Sequence, residues 1–224
     1  MSESEFAELR QSMIAEIVAM TVFSCGQLDK AALQSRVLDA IGEVPRHLFV
    51  PPLLKPLAYL NRPLPIGCDK TISQPFIVAV MTDLLDPRPS DRVLEIGTGL
   101  GYQCAVLSAL VQRVYSIELI ELLAHQAERR LADAGCRNVV LRIGDGNEGW
   151  PEQAPFDKIM VTAAPEHIPP ALIAQLKPGG RLVLPAGPPD AQRLIVVQKA
   201  LDGTLAQREL LPVRFSQLDT AAPH

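Results

Sequence analysis

Apolar and polar positions follow one another along this chain in two rhythms. Short runs rich in β-branched residues at 92–96, 114–117, 139–143, 158–162 and 181–184 predict strands. Between them, 103–110, 121–134 and 170–176 carry apolar residues at helical spacing, the last led by Pro170, where a helix start tolerates proline. Strand and helix alternating in this way specify an α/β fold with a mostly parallel sheet covered by helices on both faces. Two further apolar runs, 194–197 and 210–215, have no helix between them and predict an antiparallel C-terminal edge. Ahead of the sheet, Leu33, Val37, Leu38 and Ile41 recur at helical spacing, with Asp29 as the candidate cap. A proline-rich stretch between Pro45 and Pro65 divides the chain. The expected organisation is an N-terminal helical and substrate-site segment, 1–75, packed on a core of 76–224, forming one structural domain.

Composition narrows the possible partners. A chain of 224 residues, 48% hydrophobic and 21% charged, suits one domain with a sizeable core. Lys+Arg 21 against Asp+Glu 25 gives a net charge of -4 with no basic run, so a nucleic-acid partner is not expected. The acidic start Met1-Ser2-Glu3-Ser4-Glu5 leads into no signal-type apolar core, and no uninterrupted apolar stretch reaches the roughly 18 residues of a membrane span. A cytoplasmic monomer is expected. Cys25, Cys68, Cys104 and Cys136 form no C-x-x-C pair, which points to reduced thiols and no metal site.

The chemistry-bearing positions follow the first three strands. The first runs into Leu94-Glu95-Ile96-Gly97-Thr98-Gly99-Leu100-Gly101-Tyr102, directly before a helical pattern. Glycines here permit a tight turn and let a ligand approach the backbone beside the positive end of the following helix. Glu118 ends the second strand some twenty residues later, followed by Leu119, where a carboxylate can accept hydrogen bonds from ribose hydroxyls. The third strand runs into Gly144-Asp145-Gly146, an acid for an adenine amino group with flanking glycines that leave room for a flat ring. Glu95 adds a carboxylate where dinucleotide loops usually have none, suited to orienting backbone or ligand donors such as a methionine ammonium. The set Glu95, Gly97, Thr98, Gly99, Gly101, Glu118, Leu119, Asp145 and Gly146 is similar to the S-adenosyl-L-methionine site of Rossmann-like class I methyltransferases.

The proline-rich segment narrows the likeness. Val44-Pro45-Arg46-His47-Leu48-Phe49-Val50-Pro51, Leu64-Pro65-Ile66-Gly67 and Thr71-Ile72-Ser73-Gln74-Pro75 resemble protein-L-isoaspartate O-methyltransferases, whose hallmark before the glycine loop is such a Thr-Ile-Ser-Gln-Pro string. The likeness continues through Gly149-Trp150-Pro151-Glu152, Val161-Thr162-Ala163-Ala164 and Leu211-Pro212-Val213-Arg214-Phe215, covering about residues 30 to 218.

That resemblance implies methyl transfer from S-adenosyl-L-methionine, leaving S-adenosyl-L-homocysteine, to the α-carboxylate of L-isoaspartyl residues in damaged proteins and peptides. The ester then closes to a succinimide, whose hydrolysis partly restores aspartate. An ionised carboxylate is already a nucleophile at neutral pH, so no general base is required. The enzyme must supply alignment and replace water around the carboxylate. By resemblance Ser73 is the catalytic residue that aims the carboxylate, with Thr71 and Gln74 closing the site. A helix N-cap role for Ser73 is the alternative. Thr162 and Ala163, with Val213 and Arg214, resemble the family's peptide-contact segments; backbone pairing there would tolerate many flanking sequences. Arg214 is a candidate to face the substrate carboxylate or, equally, a surface arginine. His47 and His125 are expected to be structural or surface residues, and Trp150 to pack.

The chain departs from the family pattern at Cys68-Asp69-Lys70, where an aromatic or histidine, a small residue and glutamine are common. The departure would alter peptide choice, or be an exposed Asp69–Lys70 pair of little energetic value. It is also the support for one alternative, a methyltransferase dedicated to an aspartate in one peptide. A nicotinamide-dependent oxidoreductase could use the same glycine turn, and a non-catalytic binding module is the third alternative.

Overall fold

The computed structural model describes residues 1–220. Helix α1, Glu3–Phe23, opens on a capping box in which the Glu5 N–H donates to Ser2 Oγ and the Ser2 N–H donates to the Glu5 carboxylate. It buries Phe6, Met13 and Ile17 in the same core as the sheet residues Val93 and Val114. After the single turn α2, Cys25–Leu28, Asp29 takes a left-handed conformation with φ 55° and ends that turn rather than capping the next helix. Helix α3, Ser35–Glu43, starts later than the periodicity predicts. Its N-cap is Gln34, whose own N–H donates to the buried Asp83 carboxylate at 2.7 Å. Leu33 therefore lies outside the helix.

The proline-rich stretch folds as two 3-10 turns, Arg46–Phe49 and Pro52–Leu57, and then a short antiparallel hairpin, β1 Leu64–Gly67 and β2 Lys70–Ile72. Cys68 and Asp69 make its left-handed tip, with φ 52° and 55°. Helix α4, Pro75–Leu85, follows with proline in its first turn. It is buried on nearly every side, so it has no polar stripe for periodicity to reveal.

The main sheet contains β3 Arg92–Ile96, β4 Arg113–Glu118, β5 Val139–Ile143, β6 Phe156–Val161, β7 Leu176–Ala186, β8 Arg193–Lys199 and β9 Leu205–Pro212. Helices α5 Tyr102–Ser108, α6 Glu121–Asp133 and α7 Pro170–Gln175 connect its parallel part. Strand order is β5-β4-β3-β6-β7-β8-β9. The five from β5 to β7 are parallel, and β8 and β9 are antiparallel additions. From β3 the chain builds outward through β4 and β5, then returns to place β6 on the other flank of β3. The carboxyl ends of β3 and β6 thus flank a topological switch point, where open α/β sheets leave a crevice. Strand β9 starts and ends earlier than the apolar run 210–215 predicts, because Leu205–Glu209 is an exposed edge. Residues 213–219 leave the sheet and cross back over its carboxyl end.

Candidate active site

The glycine loop follows β3 directly. Gly97 has φ 92°, and a Cβ there would lie 2.6 Å from Thr162 Oγ1 at the end of β6. Any larger residue would part the loop from β6, which is held by the Thr162 N–H donating to Ile96 O at 2.9 Å and by Thr162 Oγ1 donating to Gly97 O at 2.6 Å. Glu118 braces the loop from β4. Its Oε2 accepts the Gly99 N–H at 2.7 Å and its Oε1 accepts the Ile120 N–H at 3.0 Å.

A cavity opens against this loop. Gly97, Thr98, Gly99, Glu118, Leu119 and Gly146 all line it, so six of the nine expected cofactor positions meet in one place. Glu95, Gly101 and Asp145 do not line it. Glu95 is fully buried behind the loop, with Oε2 accepting the Ser116 hydroxyl and Oε1 without a hydrogen-bond partner among the described residues. Burial pushes its carboxyl up to about 8, so it is largely protonated at neutral pH. Ser116 also meets Thr98 Oγ1 at 2.6 Å, so Glu95 reaches the cavity wall only through two hydroxyls. Gly101 serves helix packing, since a Cβ there would meet Leu131 of α6 at 3.0 Å. The Asp145 carboxylate accepts the Asn147 N–H at 2.8 Å and the Asn147 side-chain amide at 2.9 Å.

A second cavity adjoins the first, lined by Thr71, Ser73, Gln74, Thr162, Val213 and Arg214 among others. Ala163 lines the first cavity instead. Thr71, Ser73, Thr162 and Ser216 border both, which makes them the shared wall. Ser73 does not cap α4: the N-cap is Gln74, with no side-chain cap bond. Gln74 donates through Nε2 to Asn61 O at 2.9 Å, fixing that corner of the cleft. Arg214 is exposed at the rim, with no ion pair among the described residues.

Sequence reasoning missed the segment after β9. Ser216, Gln217, Leu218 and Asp219 wall the first cavity, tied down by the Ala164 N–H donating to Ser216 O at 2.8 Å and the Leu218 N–H donating to Ala164 O at 2.9 Å. No periodic pattern marks these residues. Lys70 does not pair with Asp69; its Nζ lies 2.6 Å from Asp219 Oδ2, joining the hairpin to this strap. Of the departure at 68–70, Lys70 is thus part of the wall of the first cavity, while Cys68 and Asp69 are exposed at the hairpin tip. The structural roles of the other residues hold. His47 is buried against Phe6 at 3.9 Å, His125 is exposed beside Glu121, and Trp150 packs edge-on to Tyr115.

The chain matches the protein-L-isoaspartate(D-aspartate) O-methyltransferase family over residues 23–221. It belongs to that family. The protein-L-isoaspartate O-methyltransferase 1 of a Polaromonas species is 60% identical over 223 residues, covering 100% of this chain and 94% of the relative. A solved protein-L-isoaspartate O-methyltransferase superposes with TM-score 0.79 at 29% identity, covering 96% of this chain and 66% of the other. A Plasmodium falciparum structure that holds S-adenosyl-L-homocysteine shares the fold, with TM-score 0.77 at 19% identity and coverage of 95% of this chain and 99% of the other. Family membership removes the oxidoreductase alternative. No helix among the described residues is long and apolar enough to cross a membrane, and no group of three or more His, Cys, Asp or Glu among them could hold a metal.

Proposed function

We propose that the protein transfers a methyl group from S-adenosyl-L-methionine to the α-carboxylate of L-isoaspartyl residues in proteins and peptides. The observation that carries this reading is the pair of cavities meeting at Thr71, Ser73, Thr162 and Ser216. Cofactor and peptide would each have their own chamber with one wall in common.

The first cavity fits the cofactor on its own chemistry. Its Glu118 carboxylate offers lone pairs beyond the two backbone bonds it accepts, suited to ribose hydroxyls. Ile120 and Leu123 give an apolar wall for a flat ring, and the buried Gln217 Nε2 is a donor without a partner among the described residues. When bound, the cofactor supplies an electrophilic methyl group. Ser73 donates its hydroxyl to the incoming carboxylate, and the walls around it exclude the water that would otherwise solvate that anion. No side chain needs to remove a proton, since the carboxylate is ionised near neutral pH. Thr162 and Val213 can offer their backbone carbonyls to an extended peptide, their N–H groups being held by Ile96 O and Gln192 O, and exposed Arg214 stands where it can meet an anionic group. Lys70 is turned toward the strap, so within the 68–70 departure it is Cys68 and Asp69, exposed at the hairpin tip, that could bear on peptide choice.

The experiment is single-turnover transfer of labelled methyl to an isoaspartyl peptide, run on wild type and Ser73→Ala alongside thermal unfolding. A ten- to hundredfold slower transfer with intact folding and cofactor affinity is the expected outcome. A normal rate removes Ser73 from the chemistry.

A further inference from the structure

Arg46 carries no assigned role, yet it is among the most unusual side chains in the molecule. It sits in the first 3-10 turn, fully buried. Arginine in an interior is ordinarily matched by a carboxylate, because an uncompensated buried charge is costly. Here the groups that most favour its charge are the phenols of Tyr102 and Tyr59 rather than acids. Nε donates to Ala58 O at 2.8 Å, and Nη2 donates to Ser73 O at 2.7 Å. Nη1 and the Tyr102 hydroxyl are both buried without a close hydrogen-bond partner among the described residues, and this phenol is the polar group that most favours the guanidinium. The guanidinium carbon lies 4.7 Å from the ring centroid of Tyr102, the first residue of α5 and part of the cofactor-side wall. Burial lowers the guanidinium to about 10, which still leaves it positive at neutral pH.

One side chain therefore touches the backbone of the proposed catalytic serine and the helix that follows the glycine loop. The Ser73–Gln74 peptide is trans, so its N–H points opposite to the carbonyl that Arg46 holds. That turns the Gln74 N–H away from the buried guanidinium, and it has no acceptor among the described residues. Ser73 and Gln74 both line the peptide cleft.

We propose that Arg46 is a positioning residue for the carboxylate substrate. By clamping the Ser73 carbonyl from behind the cavities it holds Ser73 Oγ and the Gln74 N–H in register to receive the carboxylate, an anion of the kind the buried charge lacks among the described residues. The inference rests on Ser73 aiming the carboxylate, as set out under the proposed function.

The test is a double-mutant cycle. Arg46→Met, Arg46→Lys, Ser73→Ala and the Arg46→Met/Ser73→Ala pair are compared in single-turnover methylation of an isoaspartyl peptide, with S-adenosyl-L-homocysteine affinity measured alongside. Arg46→Met is expected to slow transfer roughly ten- to a hundredfold, while cofactor affinity stays within about threefold. In that background Ser73→Ala should cost less than about threefold more, because the two act as one unit. Arg46→Lys keeps the charge and should be at least about threefold faster than Arg46→Met. A folded Arg46→Met enzyme with the wild-type rate overturns the proposal, as does a full Ser73→Ala penalty in its background. Should the variants not fold, the wild-type protein decides. With isotope-labelled arginine, the Arg46 side-chain NMR signals should shift on binding an isoaspartyl peptide and not on binding its α-amide counterpart; no shift, or equal shifts, overturns the proposal. If Ser73→Ala alone leaves the rate unchanged, the serine assignment itself has failed, a result distinct from an Arg46 that merely packs.

Discussion

Replacing Glu118 with glutamine separates the two tasks that the structure gives this carboxylate. Its oxygens accept the Gly99 N–H at 2.7 Å and the Ile120 N–H at 3.0 Å, and the same group lines the cofactor cavity. Glutamine has one acceptor oxygen for those two donors. Its amide nitrogen must then face the other N–H, donor to donor, which strands one largely buried backbone group at about 1–3 kcal/mol. For a domain of this size that lowers the unfolding midpoint by about 2–12 °C. Losing a charge-assisted bond to a ribose hydroxyl would remove about 1–3 kcal/mol more from binding alone, or roughly 5- to 150-fold in Kd. Calorimetric titration with S-adenosyl-L-homocysteine, run below the midpoint of the variant, reads the second effect apart from the first. A lowered midpoint with unchanged Kd would make Glu118 a loop brace only. No change in either would contradict the geometry.

Gly97→Ala should fold but bind S-adenosyl-L-homocysteine at least about tenfold more weakly in the same titration, because its Cβ would sit 2.6 Å from Thr162 Oγ1 at φ 92°; wild-type affinity would show that the loop shifts without cost. Lys70→Gln and Asp219→Asn should each speed release of labelled S-adenosyl-L-homocysteine about two- to fivefold at low salt, with no further gain in the double variant. Independent, additive effects in that chase experiment would mean the 2.6 Å contact does not hold the strap. Glu95 keeps its proton in the native state up to about 8, whereas the unfolded chain releases it near 4.5, so its contribution to stability is lost as pH rises between those values. Thermal melts from pH 5 to 8 should therefore show a flatter profile for Glu95→Gln than for wild type, and identical profiles would contradict the buried acid.

The regular part of the fold was legible because its strands and helices carry opposite periodicities; β3 through β6 fall within two residues of the apolar runs, while β7 begins five residues before its run at 181–184. Helix α4 lacked a polar face, so its continuous apolar run said nothing about period. Helix α1 buries only a narrow stripe, Phe6, Met13, Ile17 and Thr21, while Val18, Val22 and Phe23 stay exposed and blur the pattern. Of the cofactor-loop residues, those on the cavity wall and those behind it share one string of sequence. Only tertiary packing separates Gly99, at the wall, from Gly101, which accommodates Leu131. Glu95 and Glu118 are both strand acids, yet one is sealed behind Ser116 while the other faces the cavity. The strap at 216–219 and the Lys70–Asp219 contact join positions 149 residues apart, which no local pattern encodes.

Methylation of an isoaspartyl carboxylate in the two joined cavities is the reaction proposed for this protein. It is tested most directly by a matched pair of peptides, identical except that one carries an L-isoaspartyl linkage and the other a normal aspartyl linkage at the same position, incubated with the enzyme and methyl-labelled S-adenosyl-L-methionine. Base-labile methyl ester is expected on the isoaspartyl peptide, followed by its conversion to succinimide, and little or none on the aspartyl peptide. Equal labelling of the two, or label on the aspartyl peptide alone, would contradict it.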